Sequence, residues 1–193
     1  MILMIDNYDS FTYNLVDLLS AHDEVKVCYP DDPNVLDYKP SAIVLSPGAG
    51  HPNDNDLLRR IIDHYHNLPI LGICLGAQAL YDYYGGVVDV GERIVHGKLD
   101  QLEFEAPSIL YKDISEYSEI MRYHSLICKR ETLPHDLIVT GRTEDSIQSF
   151  EHRIHRHFGV QYHPESFASP DVAQIVTNFI NIAKQEGKKD DIT

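Results

Sequence analysis

A cysteine flanked by two glycines is the pattern in this chain with the clearest chemical meaning. Cys74 lies between Gly72 and Gly76 in the segment 71–78, which joins an apolar run to a helical pattern. This arrangement corresponds to a nucleophile elbow, G-x-S-x-G, with sulfur in place of oxygen. The glycines leave room around the nucleophile, and the start of a helix favours a thiolate through its N–H groups and dipole. The alternative is that Cys74 is a small core residue, as buried free cysteines often are.

A histidine and a carboxylate that could serve this cysteine follow much later in the chain. His163 and Glu165 lie two residues apart in the segment 161–166, at the end of an apolar run. Side chains two apart in an extended segment point to the same side, so Glu165 could fix the tautomer of a base that exchanges a proton with Cys74. The backbone N–H of Leu75 is placed to donate to a developing oxyanion. The sequence thus predicts a Cys–His–Glu triad.

Composition limits the class of protein. The chain has 193 residues, with 16 Lys and Arg against 30 Asp and Glu, which gives a formal net charge of −14. Such a balance disfavours binding to nucleic acid or to an anionic membrane, while 43% hydrophobic residues are typical of a globular protein. Three cysteines without a C-x-x-C motif argue against a disulfide framework or a structural zinc site. We expect no signal peptide, no membrane span and a reducing, cytoplasmic compartment.

The elements that must position these residues follow from the apolar patterns. In the first half, helical patterns alternate with predicted strands at residues 1–5, 24–28, 42–45 and 69–74. This alternation predicts an α/β fold with a doubly wound, mainly parallel sheet flanked by helices. Short alternating segments predict an added antiparallel β portion at residues 101–105, 136–140, 146–150 and 158–162. We expect a last helix from residue 169 and one domain over residues 1–193, with residues 185–193 as a frayed tail.

With these residues in place, the chain resembles the class I (triad) glutamine amidotransferases over nearly its whole length. Three motifs carry the resemblance: Ser46–Pro52, Gly72–Gly76 and His163–Glu165. Three further segments resemble the chorismate-pathway branch of that family: Ile5–Asn14, His96–Lys98 and Arg122–Leu126. This branch contains the small subunits of anthranilate synthase and of aminodeoxychorismate synthase. Amidotransferase domains of GMP synthetases open differently and are a weaker match.

The resemblance implies a mechanism and a set of site residues. Cys74 would attack the side-chain amide of glutamine, His163 would pass a proton to the leaving ammonia, and Glu165 would orient His163. The residues expected to bind glutamine or the oxyanion are Gly48, Ala49, Gly50, Leu75, Gln78, Ser125 and Leu126. Gly50 and Leu75 would form the oxyanion hole, and we expect no cofactor and no metal. The chain departs from the family at Ala77, where His is usual, and at Ala49, where Pro is usual.

The resemblance also implies a partner, because released ammonia needs an acceptor. No chorismate-binding synthase domain fits within 193 residues, so we expect a separate large subunit of a hetero-oligomer. Anthranilate synthase (tryptophan biosynthesis) is the favoured assignment, and aminodeoxychorismate synthase (folate biosynthesis), or service to both, is the alternative. Two other classes stay open: a non-catalytic binding subunit, and a peptidase or other hydrolase with a Cys–His pair. The histidine-rich segment His152–His157 is interpreted as a solvated turn in preference to a metal site.

Overall fold

The computed structural model describes residues 1–93 and 95–190, which contain an eight-stranded central sheet. Its parallel part contains, in sheet order, β2 (Val25–Cys28), β1 (Ile2–Asn7), β3 (Ala42–Gly48), β4 (Ile70–Ile73) and β12 (His157–Val160). The antiparallel strands β11 (Ile147–His152), β10 (Leu137–Arg142) and β7 (Glu103–Phe104) complete it. Two small antiparallel pairs are formed by β5 (Val88–Val90) with β9 (Leu126–Cys128) and by β6 (Lys98–Gln101) with β8 (Glu119–Arg122).

Helices cover both faces of this sheet. On one face lie α1 (Thr12–Ser20) and α4 (Gln174–Asp190), and on the other lie α2 (Leu57–His64) and α3 (Leu75–Tyr83). Successive side chains of a strand point to opposite faces, so β1 places Ile2 and Met4 in one apolar core and Leu3 in the other. Burial on both faces explains why the parallel strands are continuous apolar runs in the sequence. The predicted α/β class with an antiparallel addition is confirmed.

Strand β12 joins the parallel and antiparallel parts of the sheet. The sequence predicted it among the antiparallel strands, and it does pair in that way with β11, where Gly159 lies opposite Phe150. On its other edge, however, β12 pairs parallel with β4, where Gly159 lies beside Gly72. The ends of parallel neighbours meet at the same edge of a sheet. The segment after β12 therefore emerges beside the segment after β4, which carries Cys74.

The C-terminal helix begins with a tight turn. Residues Pro170–Ala173 form a 3₁₀ turn with Pro at the first helical position, and α4 starts at Gln174. The tail predicted to fray, residues 185–193, begins within α4, and residues 191–193 lie outside the described part of the chain. None of the helices in the described ranges is long and apolar enough to span a bilayer.

Candidate active site

Cys74 occupies a strained turn between β4 and α3. Its backbone angles are φ 53° and ψ −107°, a conformation that residues with a side chain rarely adopt. Its N–H donates to the carbonyl oxygen of Val160 (2.8 Å), and its own carbonyl accepts the N–H of Gln78 (3.0 Å), so both sheet and helix hold the turn. Strain of this kind persists only where the surrounding structure enforces it, and it clusters at functional sites. The strand-to-helix turn predicted for Cys74 is therefore present.

Close backbone packing explains the two glycines beside Cys74. A Cβ atom at Gly72 would collide with the carbonyl oxygen of Gly76, and a Cβ atom at Gly76 would collide with the carbonyl oxygen of Leu45 in β3. Neither contact involves a flexible side chain that could move away. The glycines thus let α3 begin directly against the ends of the parallel strands, which places the N-terminal end of the helix at Cys74.

His163 and Glu165 form a buried hydrogen-bonded pair beyond the end of β12. Nδ1 of His163 lies 2.6 Å from Oε1 of Glu165, and the side chains are 6% and 2% exposed. The backbone N–H of His163 donates to the carbonyl oxygen of Met121 (3.1 Å), and the Tyr123 ring packs edge-on against the imidazole. Since Glu165 holds the proton on Nδ1, it fixes the tautomer. Within the described ranges Nε2 of His163 has no hydrogen-bond partner, which leaves that atom for a reacting group.

The electrostatics of this pair favour a protonated ring. Burial lowers the pKa of His163, but its interactions with Cys74 and Glu165 outweigh burial and raise the pKa to about 10. At neutral pH the ring is therefore positively charged. A nearby imidazolium favours the thiolate form of a cysteine, and it can donate a proton to a leaving amine.

The other two cysteines have surroundings of a different kind. Cys28 and Cys128 are unpaired and buried in the apolar core. Burial raises the pKa of the Cys28 thiol to about 11 and that of Cys128 further still. Thiols in such surroundings stay protonated and react slowly. Cys28 and Cys128 are thus core residues, and Cys74 is the cysteine with a histidine beside it.

Two buried glutamines connect Cys74 to a neighbouring backbone segment. Gln161 donates from Nε2 to Sγ of Cys74 (3.6 Å). Gln78 donates from Nε2 both to Oε1 of Gln161 (3.0 Å) and to the carbonyl oxygen of Leu126 (3.1 Å). The amide nitrogen of Gln78 is thus bonded within the protein, and its predicted contact with substrate stays a prediction. Gln161 was not among the site residues predicted from the sequence, although its place two residues before His163 in an extended segment indicates a side chain on the same side.

The loop of residues 48–50, at the end of β3, contains two glycines and lies against the start of α3. Gly48 is the last residue of β3, and a Cβ atom there would lie 2.9 Å from Cδ2 of Leu75. Gly50 has a φ of +88°, which glycine adopts without steric cost. The loop is fixed from its far side by His51, whose Nε2 donates to the carbonyl oxygen of Val88 (2.9 Å). The structure thus brings Gly48 against Leu75, the residue directly after Cys74.

The segment Ser125–Leu126 is held by hydrogen bonds to two distant parts of the chain and to its neighbour His124. The carbonyl oxygen of Ser125 accepts the N–H of Gly91 (2.9 Å). The carbonyl oxygen of Leu126 accepts from Gln78 and from Nδ1 of His124 (3.0 Å). This backbone is therefore fixed relative to α3, the helix that follows Cys74.

A group of histidines lies at the opposite edge of the sheet. The turn between β11 and β12 brings His152, His155 and His157 together with His66, whose ring centroid is 4.2 Å from that of His155. The predicted turn is present, but the prediction that all of it is solvated is wrong for His157, which is buried at the start of β12 with its ring nitrogens hydrogen-bonded to Tyr84 and His66. Among the side chains that the structure describes, no three from His, Cys, Asp or Glu are arranged to hold a metal ion.

Comparisons with known proteins identify the family of the chain. The model of the family "Glutamine amidotransferase class-I" matches residues 3–183. Anthranilate synthase component 2 of Methanothermobacter thermautotrophicus is 37% identical over 196 residues, which cover 94% of this chain and 99% of that protein. The aminodeoxychorismate/anthranilate synthase component 2 of Bacillus subtilis is 38% identical over 192 residues, which cover 96% of this chain and 98% of that protein.

Other similar proteins differ in length or are more distant. Two relatives named as multifunctional tryptophan biosynthesis proteins are longer, and the chain spans 51% and 24% of them. A crystal structure described as that of a GMP synthase subunit from Thermoplasma acidophilum has a TM-score of 0.89 at 23% identity, covering 98% of this chain and 96% of that chain. That likeness concerns the fold. From its match over residues 3–183 and these curated relatives, the chain belongs to the class I glutamine amidotransferase family.

Proposed function

We propose that this chain is the glutamine-hydrolysing subunit of a synthase that uses chorismate, most simply anthranilate synthase. The observation that carries the proposal is the strained turn at Cys74, with the buried His163–Glu165 pair on the segment after the neighbouring parallel strand. Glutamine as the substrate follows from the family. The non-catalytic alternative is disfavoured because a merely structural cysteine needs neither a strained backbone nor a charged histidine beside it.

The first half of the proposed reaction uses His163 as an acid. The thiolate of Cys74 attacks the amide carbon of the glutamine side chain, and the carbonyl electron pair moves to oxygen. The imidazolium gives its Nε2 proton to the amide nitrogen, the C–N bond breaks, and ammonia leaves a γ-glutamyl thioester on sulfur. Glu165 stabilises the imidazolium and keeps the ring oriented through its 2.6 Å contact with Nδ1.

The second half uses His163 as a base. Its neutral Nε2 takes a proton from water as the oxygen attacks the thioester carbon, and the C–S bond then breaks. Glutamate leaves, and Cys74 and His163 return to thiolate and imidazolium. The balance is glutamine plus water giving glutamate, ammonia and one proton, which the new carboxyl group releases to solvent.

Backbone groups are proposed to bind the substrate. The N–H of Leu75 belongs to the first turn of α3, where amides have no partner within the helix, and it would donate to the oxyanion together with the N–H of Gly50. The backbone of Ser125 and Leu126 would hold the α-amino and α-carboxylate groups of glutamine. Two contacts support this proposal: Gly48 packs against Leu75, and Leu126 accepts a hydrogen bond from Gln78 in the helix that follows Cys74.

The partner assignment rests on the names of the relatives. The Methanothermobacter relative is named for anthranilate synthase, and the Bacillus subtilis relative is named for both anthranilate and aminodeoxychorismate synthases. We therefore propose that the ammonia passes to a chorismate-binding large subunit, with that of aminodeoxychorismate synthase as the second candidate. The three unpaired cysteines suit a reducing compartment, and a cytoplasmic location is part of this proposal.

Two experiments test the proposal. A diazo-ketone analogue of glutamine should label Cys74 at one equivalent, and Cys74→Ser should abolish ammonia release from glutamine while Cys28→Ser retains it. Absence of saturable labelling would show that the glutaminase assignment is wrong.

For the partner, the chain should be mixed with each large subunit, and product formation compared with glutamine or ammonia as nitrogen source. A large subunit that works with ammonia but never with glutamine is not the partner.

A further inference from the structure

Arg122 is a buried cation outside the proposed triad and the predicted glutamine contacts. It lies at the end of β8, and its side chain is 3% exposed. Its guanidinium donates to both carboxylate oxygens of Asp145 (2.9 Å each), to Asp100 (2.6 Å) and to Ser146 (3.1 Å). A two-pronged contact with a carboxylate fixes the plane of a guanidinium. Arg122 is therefore held in one orientation by residues from β6 and from the turn between β10 and β11.

This orientation aims the remaining donor of Arg122 at His124. Nε of Arg122 donates to Nε2 of His124 (3.3 Å), so this ring nitrogen is an acceptor and the proton lies on Nδ1. Nδ1 in turn donates to the carbonyl oxygen of Leu126 (3.0 Å). Burial and then the charge of Arg122 lower the pKa of His124 to about 4, partly opposed by its bond to Leu126 and by Asp145. Burial and the charge of Arg122 together keep His124 neutral, and the hydrogen bond from Arg122 selects its tautomer.

The carbonyl oxygen of Leu126 also connects to Cys74 through a chain of hydrogen bonds. Leu126 accepts there from Gln78 as well, and Gln78 is bonded to Gln161, which donates to Cys74. A change in the position of Leu126 would therefore alter the segment proposed to bind glutamine before it altered the sulfur, which is three hydrogen bonds away.

We propose that Arg122 is a positioning residue for glutamine binding, which fixes the backbone of Ser125 and Leu126 through its hydrogen bond to His124. The proposal rests on the proposed function, since it concerns affinity for glutamine at that site. Arg122 touches neither the substrate nor the reacting atoms. Its loss should raise KM for glutamine and leave the intrinsic reactivity of the Cys74 sulfur in place.

The test compares two reagents for Cys74 on the same variants. Inactivation by the diazo-ketone analogue requires the glutamine site, whereas alkylation by iodoacetamide requires only an accessible thiolate. For Arg122→Gln we expect the half-saturating analogue concentration and KM for glutamine to rise about tenfold, which corresponds to about 1.4 kcal/mol. The rate of iodoacetamide alkylation should change less than about twofold, which corresponds to well under about 1 kcal/mol. Arg142→Gln is the matched control, because Arg142 makes a half-exposed ion pair with Glu103 (2.7 Å).

A second pair of variants guards against misfolding of Arg122→Gln, which leaves Asp145 without its cation. In His124→Asn the side-chain amide can still donate to Leu126, and KM should stay near that of the parent protein. In His124→Leu this donor is lost, and KM should rise as in Arg122→Gln. Equal KM values for the His124 variants, or parallel loss of both labelling reactions in folded protein, would overturn the proposal. If the parent protein itself is not saturably labelled by the analogue, the proposed function fails instead.

Discussion

Gln161 donates a hydrogen bond to the sulfur of Cys74 across the parallel pairing of β12 with β4. The N–S distance is 3.6 Å, and the amide oxygen of Gln161 accepts from Gln78 (3.0 Å). Because that second bond determines which end of the amide faces the sulfur, the donor is fixed toward Cys74. A fixed N–H donor stabilises a thiolate more than a thiol.

Replacement of this donor should slow the reaction of Cys74. In Gln161→Leu the sulfur loses the amide donor while the volume of the side chain is nearly kept. Loss of one such bond costs about 1 kcal/mol, so iodoacetamide alkylation at pH 7 should slow about fivefold. Gln148→Leu is a control in an equally buried position, because the side-chain amide of Gln148 donates to Thr143 and Ser146 and not to Cys74. An alkylation rate equal to that of the parent protein would show that the contact has no effect on the thiolate.

The charge on Glu165 should matter for the pH dependence of glutamine hydrolysis. Glu165→Gln keeps an acceptor at Nδ1 of His163 but removes the negative charge that helps to raise the pKa of the ring to about 10. The imidazolium would then be lost at lower pH, so the alkaline limb of the rate profile should move toward neutral pH. We also expect kcat to fall about 100-fold, within the range typical of acid–base roles. A variant with an unchanged alkaline limb would contradict the assigned role of Glu165.

The packing around Gly76 should make even a single added methyl group costly. In Gly76→Ala the new Cβ atom collides with the carbonyl oxygen of Leu45, and relief requires a shift of α3 or β3. Overpacking costs up to about 3 kcal/mol, and we expect a loss near this upper value because the colliding atom belongs to the backbone; urea unfolding measures it directly. Gly85→Ala is the matched control: its φ is +98° and nothing lies within 4 Å of the added atom, so it should cost about 1 kcal/mol from backbone strain alone. Similar losses for the two variants would contradict the collision.

Buried His157 should make the fold less stable in acid. Burial, followed by the nearby His66, lowers the pKa of His157 to about 4, against about 6.5 in an unfolded chain. The unfolded state therefore binds more protons between these values, and stability present above pH 6.5 is lost as pH falls toward 4. The full effect is about 3 kcal/mol, the product of the shift and 1.36 kcal/mol per unit.

Urea unfolding at pH 7 and pH 5 should show about 2 kcal/mol of this loss, since pH 5 lies about 1.5 units below the pKa of the unfolded state. His157→Gln should flatten the pH dependence, because glutamine keeps an amide donor for the carbonyl oxygen of His66 and does not titrate in this range. His135→Gln is a control at a fully solvated histidine, 95% exposed. If the free energy of unfolding of His157→Gln falls with pH as steeply as that of the parent protein, other groups cause the acid sensitivity. Buried His124 is the next candidate.

The local parts of the site could be predicted from sequence because neighbouring residues encode them. Gly72 and Gly76 indicated a strained turn at Cys74, since only glycine fits where two backbones touch. The spacing of His163 and Glu165 indicated a contact, since residues two apart in extended chain share a side. Apolar runs predicted the parallel strands, because these strands are buried on both faces. Helical patterns predicted the flanking helices, because each of these helices is buried on one face.

The contacts between distant segments were decided by the tertiary structure. The parallel pairing of β12 with β4 sets His163 near Cys74, and no local signal distinguished it from the antiparallel pairing that the sequence predicted. The same holds for Gln161 at the sulfur and for Arg122 between Asp100 and Asp145, which are joined only in the folded chain. Residue type and spacing determine which conformations a short segment prefers, whereas the choice of neighbours depends on how all apolar faces and buried charges are satisfied together.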